Sequence, residues 1–428
     1  MFCNQCEQTV GGVACTAAGA CGKNPDIQSL QENLLFALKG IAAYAYEARE
    51  LGCTDPEVDA FLAEGLYATG TNVCFDLNKF IALNLKAGQI TVKAMAMLKK
   101  AHVALLGENV PVQVPTGTYA GPGILVTGHN LKMLYELLKQ TEGTGINIYT
   151  HSEMLPAHGY PKLKAFSHLK ANLGGSWVDQ KELFASFPGV IIGTTNCYLE
   201  PREETKARMF SFGPTGLPGV KHLEGYDFSE AIALAKSLPA LTEKPGKVVL
   251  TTGFADTNVL PLAGQILAAV SAGKIRHFLL VAGCDAPGNG GQYYRELVQK
   301  APADTVILTL ACGKFRFNDL DLGSIDGIPR LIDLGQCNDA ITAVNIAVAL
   351  AGALNCGVND LPLTLVLSWM EQKAVAILMG LFALGIKGIY VGPKAPAWIT
   401  PNVLQVLVQN FDLKLTTTPD ADLKAILG

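Results

Sequence analysis

No apolar run in this 428-residue chain reaches the roughly 20 residues that a spanning helix needs. The longest, AVAILMGLFALGI from Ala374 to Ile386, reads as a buried helix. The opening residues lack a basic segment followed by an apolar one, so no secretory signal is expected. Charge is sparse, at 16% of residues, and nearly balanced, at −4, which gives no reason to expect nucleic acid or an anionic membrane as partner. No short-period repeat or low-complexity segment is evident. Nucleotide fingerprints are missing too. GNGG at 288–291 has neither the GxGxxG spacing nor a P-loop lysine–serine end. Without a flavin or nicotinamide motif, electrons for any redox chemistry are expected from a separate protein.

Two things are plentiful. Hydrophobic residues make up 49% of the chain, which together with its length predicts a compact protein of two or three domains. Cysteine is abundant at eleven residues. Without an export signal this suggests reduced thiols in the cytoplasm, used for metal or redox work rather than disulfides.

Two textures divide the sequence. From about 27 to 106 apolar residues recur at three- and four-residue intervals, and TDPE at 54–57 reads as a capping box opening a helix. NVPVQVPTGTYAGPG, from Asn109 to Gly123, breaks the pattern and reads as a linker. Beyond it short β-branched runs alternate with helical stretches: GILVTG, INIYTH, VIIGTT, KVVLTTG, HFLLVAG, TVILTLA, RLIDLG and GIYVGP. That rhythm predicts an α/β fold of two doubly wound parallel-sheet (Rossmann-like) domains preceded by an N-terminal helical bundle. The expected divisions are 1–108 for the cysteine motif and bundle, 109–123 for the linker, 124–243 for the first α/β domain and 244–428 for the second.

In open α/β sheets ligands bind beyond the carboxyl ends of the strands. GILVTG is followed by His129, VIIGTT by Asn196 and Cys197, HFLLVAG by Cys284, TVILTLA by Cys312 and RLIDLGQ by Cys337. Each alone would pass for a buried small residue or a capping-region histidine. Five such strand ends together suggest one site on a shared sheet edge. The four cysteines are too dispersed for a zinc finger or ribbon, whose ligands come as close pairs.

The N-terminus adds Cys3, Cys6, Cys15 and Cys21, a C-x2-C pair followed by two more distant thiols. Zinc usually takes two tight pairs, whereas a four-iron cluster tolerates such loops. Glycines at 11, 12, 19 and 22 allow backbone N–H groups near the sulfurs. The spacing favours iron–sulfur and leaves zinc and redox disulfides open.

The motifs MFCNQCEQT, GHNLKMLYELLKQTEGTGINIYTHSEMLPAHGYPKLK, TTNC, AGCD…YY, LTLACGKFRFND, LIDLGQCNDA and LSWMEQKAV span the whole chain. On these residues the sequence resembles the hybrid-cluster (prismane) family, relatives of the nickel carbon monoxide dehydrogenases. The resemblance implies a cubane [4Fe-4S] cluster on Cys3, Cys6, Cys15 and Cys21. It implies a second, hybrid [4Fe-2O-2S] cluster on His129, Glu153, Cys197, Cys284, Cys312, Cys337 and Glu371, with Cys284 as the persulfide-bearing position. Without it, Ser368-Trp-Met-Glu371 would read as a capping box and Glu153 as a solvated loop residue. The chain has room for about one helical bundle before the sheets, so it looks like the compact form of the family. Gly291 stands where many members carry a basic residue.

The function the resemblance implies is reduction of hydroxylamine to ammonia and water, with electrons relayed from the N-terminal cluster. Glu153, Cys284 and Lys373 are the candidate catalytic residues, Lys373 as proton or charge donor; its bland reading is a surface lysine at a helix start. Alternatives are a nitric oxide reductase forming nitrous oxide in nitrosative-stress defence, or a protein that senses or transfers nitrosyl or persulfide groups. A carbon monoxide dehydrogenase-like reaction fits the GHNLK and WMEQK contexts less well. The expected partners are a small nitrogenous substrate and an electron-donor protein, in a cytoplasmic setting with no membrane. Cys53, Cys74 and Cys356 read as packing residues, and His151 and His158 flank the Glu153 loop.

Overall fold

Runs such as GILVT and VIIG have no polar face, so they are stable only as strands covered on both sides. The computed structural model describes residues 1–195, 198–368 and 371–428, and it forms two compact units: residues 102–349, and residues 1–101 together with 350–428.

The 102–349 unit opens with β1 (Val112–Pro115), inside the stretch expected to be a linker. A parallel sheet follows, made of β2 (Gly123–Thr127), β3 (Asn147–Thr150), β4 (Leu169–Asn172), β5 (Val190–Gly193), β6 (Met209–Phe212) and β7 (Lys221–Leu223). Its order is β4-β3-β2-β5-β6-β7, so the winding reverses between β2 and β5. Alternate residues serve opposite layers. Ile124, Val126 and Ile192 pack with Leu134 and Leu138 of the Leu131–Thr141 helix, while Leu125, Tyr149 and Ile191 pack with Phe184 and Phe187. This is the doubly wound arrangement expected from the β-branched rhythm.

One expected parallel strand behaves differently. KVVLTTG forms β8 (Val249–Thr252), which pairs antiparallel with β1 in a two-stranded ribbon. Its residues alternate between exposed and buried, with Val249 outside and Leu250 inside, the pattern of a half-covered ribbon. The unit continues with β9 (His277–Gly283), β10 (Thr305–Thr309), a hairpin of β11 (Ser324–Ile325) and β12 (Ile328–Pro329), and β13 (Leu331–Asp333). Strands β13, β10 and β9 are neighbours and parallel.

In the other unit the N-terminal helices are α1 (Pro25–Glu50), α2 (Pro56–Ala68) and α3 (Leu77–Leu106). Asn24 caps α1, accepting from the Ile27 N–H at 2.8 Å ahead of Pro25 in the first turn. For α2 the cap is Asp55, not Thr54 as TDPE suggested. Pro56 occupies the first helical position, so the residue before it takes the cap and accepts from Glu57 and Val58. Strands β14 (Leu363–Ser368), β15 (Tyr390–Gly392) and β16 (Lys414–Leu415) are parallel to their neighbours in this unit.

The expected 244–428 segment is divided at residue 350, because the apolar Gln372–Ala383 helix packs against the N-terminal helices. Two glycines permit the approach: a Cβ on Gly40 would lie 2.7 Å from Ala376 Cβ, and one on Gly88 only 2.0 Å from the Met379 carbonyl oxygen. Among the described residues one segment, Cys337–Leu354, is long and apolar enough to cross a membrane, and half of it is buried within the protein, as in a core helix.

Candidate metal centre

The winding reverses between β2 and β5, the place where open α/β sheets bind their ligands, and His129 follows β2 there. Gly128, at φ +109°, turns the chain out of β2; a Cβ at this position would meet Thr194 Oγ1 and Thr195 Oγ1, which follow β5. Those two threonines orient the histidine. Thr194 Oγ1 accepts from the His129 backbone N–H at 3.2 Å, and Thr195 Oγ1 lies 2.6 Å from Nδ1. The imidazole thereby presents Nε2 to the site.

Glu153 arrives from the end of β3 on a run of 3₁₀ turns, Ser152–Gly159, that Ser152 enters at φ +52°. Its carboxylate touches three strand ends. Oε2 lies 2.9 Å from His129 Nε2 and accepts from the Cys337 backbone N–H at 2.8 Å, and Oε1 lies 3.2 Å from Cys312 Sγ. Donor atoms of His129, Glu153 and Cys337 all fall within 4.8 Å of one another, and all three residues are buried. Glu153 is therefore no solvated loop residue; it is 3% exposed.

Cys312 follows β10 through Ala311, at φ +65°, and Cys337 follows β13 through Gly335. The two loops are pinned together. Lys314 and Asp333 form a fully buried ion pair at 2.7 Å, Lys314 also donates to the Gly335 carbonyl, and the Ala311 N–H donates to the same oxygen. Gln336 secures the opposite side, donating from Nε2 to the Glu153 carbonyl at 2.8 Å and the His129 carbonyl at 3.2 Å.

Cys284 follows β9 in the neighbouring loop, where Gly313 faces the Gly283 carbonyl. The Trp177 indole N–H donates to the Cys284 carbonyl at 2.6 Å. Asp285, held at φ +70°, accepts from Arg316 Nε at 2.6 Å and from the Ser176 hydroxyl. A Cβ on Gly291 would lie 2.5 Å from the Arg316 guanidinium carbon. Position 291, read from the sequence as lacking a local positive charge, therefore has the Arg316 guanidinium beside it.

Burial pushes His151 and His158 down to about 3, so both imidazoles are neutral at physiological pH. His151 Nδ1 pairs with Thr127 Oγ1 and His158 Nε2 with Thr150 Oγ1, each at 2.8 Å. They frame the Glu153 loop. Cys197 lies outside the described residues. In the other unit Glu371 caps the Gln372–Ala383 helix, its Oε1 accepting from the Lys373 N–H at 3.1 Å. Lys373 is buried there, at 3% exposure, not a surface lysine. Cys53, Cys74 and Cys356 are half-buried.

The N-terminal cysteines share a small built frame. Cys3 and Cys15 exchange both backbone hydrogen bonds, and the Cys6 carbonyl accepts from Thr9. Backbone N–H groups of Val10 and then Ala20 aimed at its sulfur, with Lys23 adding less, hold the Cys15 thiol below its ordinary value. Thiolate-favouring donors of this kind suit a metal–thiolate group.

Sequence reading singled out His129, Glu153, Cys312 and Cys337, which meet here, but passed over Thr194, Thr195, Gln336 and the Lys314–Asp333 pair. The two threonines and Gln336 stood inside quoted motifs, TTNC and GQCND, within three residues of the cysteines.

An α/β fold that gathers imidazole, carboxylate and thiol donors beyond the ends of its strands could hold a metal ion there. Comparison supplies the family. The sequence matches the Prismane/CO dehydrogenase family over residues 1–83 and 55–424. It is 60% identical to a hydroxylamine reductase of Moorella thermoacetica, with 100% of both chains covered, and 58% identical to one of Thermotoga maritima, covering 100% of this chain and 99% of that one. In fold it is similar to carbon monoxide dehydrogenase IV from Carboxydothermus hydrogenoformans, with a TM-score of 0.80 at 14% identity, covering 100% of this chain and 91% of that one. The chain belongs to the Prismane/CO dehydrogenase family, and is an oxidoreductase. The family implies iron–sulfur centres, and the buried mixture of soft thiols with a harder imidazole and carboxylate fits iron.

Proposed function

We propose that this protein reduces hydroxylamine to ammonia and water, drawing electrons through an N-terminal cluster. Cys3, Cys6, Cys15 and Cys21 would hold a [4Fe-4S] cluster. His129, Glu153, Cys312 and Cys337 would hold part of a hybrid [4Fe-2O-2S] centre, to which the family resemblance adds Cys197, Cys284 and Glu371. When bound, the hybrid centre supplies electrons and an exchangeable coordination position for the nitrogen substrate. The observation that carries the reading is the meeting of His129, Glu153, Cys312 and Cys337 in one buried cluster.

The residues divide the work. Thr195 fixes the His129 ring so that Nε2 remains available. Glu153 is the anionic hard donor, and the Cys337 N–H steadies Oε2. The neutral His151 and His158 keep added positive charge away from the Glu153 loop. Lys373 is the proposed proton source, with Nζ as the donating atom. The reaction consumes two electrons and two protons: the N–O bond breaks, and nitrogen and oxygen leave as ammonia and water.

EPR-monitored redox titration of anaerobically purified protein, with iron and sulfide counted on the same sample, tests the cofactors. Two separable paramagnetic centres with fewer sulfides than two cubanes require support the reading; a single cubane signal overturns the hybrid centre. Product analysis with hydroxylamine and with nitric oxide then separates ammonia formation from nitrous oxide formation. A cytoplasmic setting, in which thiols stay reduced and free to bind metal, is part of the same proposal.

A further inference from the structure

Lys23 is a buried ammonium, only 4% exposed, beside the N-terminal cysteines. Among the described residues its Nζ partners are two amide oxygens, Gln31 Oε1 at 2.7 Å and Gln5 Oε1 at 3.3 Å, and no carboxylate. Gln31 is fixed in that orientation because its Nε2 donates to the Thr69 and Gly70 carbonyls, at 2.6 and 3.3 Å. A glutamate there would have neutralised the charge; the glutamine leaves it standing. A buried charge without a counter-charge is costly, so an uncompensated one beside thiols points to an anion that belongs at the site.

The position is specific. Gln5 stands between Cys3 and Cys6. On the other side, Gly19 accepts no side chain because a Cβ would press at once on Cys21 Sγ at 3.1 Å and Lys23 Cβ at 3.2 Å, and the Gly19 N–H donates to the Lys23 carbonyl at 2.7 Å. The ammonium thus meets the Gln5 side chain from the loop of the first cysteine pair, while the Lys23 backbone and Cβ lie against the Gly19–Cys21 turn. Asn24 follows as the cap of α1, so the lysine backbone is anchored to a long helix.

We propose that Lys23 is the fixed counter-charge of the thiolate-bound N-terminal cluster and holds its reduction potential up. This rests on the reading that Cys3, Cys6, Cys15 and Cys21 bind an iron–sulfur cluster. Reduction adds one electron from the donor protein and no compensating proton, so a nearby cation stabilises the reduced form more than the oxidised one. Lys23 is a positioning and tuning residue; it contacts no substrate.

The test is a redox titration of the N-terminal EPR signal in wild type, Lys23→Met and Lys23→Arg, with iron counted in each. Loss of the charge should favour the oxidised form at least tenfold, ~59 mV downward for a one-electron couple, while Lys23→Arg stays near wild type. If Lys23→Met cannot retain iron and Lys23→Arg can, the charge requirement is supported. Gln5→Glu, at an exposed position, offers the ammonium a carboxylate without disturbing buried packing and should also lower the potential. An unchanged potential in Lys23→Met or Gln5→Glu with full iron overturns the proposal, as does equal behaviour of the Met and Arg variants. Wild-type protein without an N-terminal iron signal overturns the underlying cluster reading instead.

Discussion

Glu153 Oε2 accepts the backbone N–H of Cys337 at 2.8 Å while its other oxygen lies 3.2 Å from Cys312 Sγ. One carboxylate thus links the loops after β3, β10 and β13. Glu153→Gln keeps the shape and removes the charge and one acceptor. Hydroxylamine turnover should fall by at least about 10- to 100-fold, the loss typical of removing even an outer partner of a metal ligand. The N-terminal EPR signal should be unchanged. Undiminished turnover would rule out the carboxylate role.

The Lys314–Asp333 pair is buried completely, so its members should be far more sensitive singly than together. Lys314→Met leaves Asp333 buried without a counter-charge, with the Gly335 N–H still donating to it, and should cost about 3–5 kcal/mol in denaturant unfolding. Replacing both, Lys314→Met with Asp333→Leu, should recover much of that loss. Iron content would then report whether the pair matters for loop placement as well as stability. A double variant as unstable as Lys314→Met would show that the ion pair itself is needed.

Much of this architecture was legible in the sequence because it rests on short-range patterns. Doubly buried strands read as β-branched runs, and β2, β5 and β10 appeared where GILVTG, VIIGTT and TVILTLA stood. The ligand-type residues at their ends followed from the rule for open α/β sheets. KVVLTTG misled because its composition resembles a parallel strand and only its partner, β1, reveals the antiparallel ribbon. Glu153 needed the family resemblance, since burial of a loop carboxylate depends on what packs over it. The union of residues 1–101 with 350–428 was not legible, because no local signal says which helix the Gln372–Ala383 helix will meet.

That helix contact gives a direct test of packing. A Cβ at Gly88 would fall 2.0 Å from the Met379 carbonyl oxygen and 2.5 Å from its carbon, both backbone atoms that cannot swing aside. The better helix propensity of alanine, about 1 kcal/mol, is outweighed. Gly88→Ala should destabilise the protein by about 1–3 kcal/mol through forced helix separation. Gly352→Ala, in a helix with open space around that position, is the control and should be neutral or slightly stabilising. Equal stability of the two variants would refute the close approach.

His102 provides a pH test away from the metal-site residues. It is 1% exposed, packs edge-on against Tyr160, and burial pushes it from 6.5 down to about 4. The folded state therefore prefers the neutral ring. Above pH 6.5 both folded and unfolded forms are neutral here and the full stability is present. As pH falls from 6.5 toward 4 the unfolded chain takes up a proton that the folded one refuses, and stability is lost until both are protonated. At pH 5 the loss from this residue should be about 2 kcal/mol. His102→Gln removes the titrating group, so wild type should lose about 2 kcal/mol relative to the variant as pH is lowered from 7.5 to 5, whatever their difference at neutral pH. A constant difference between them across that range would show that His102 is not held neutral by burial.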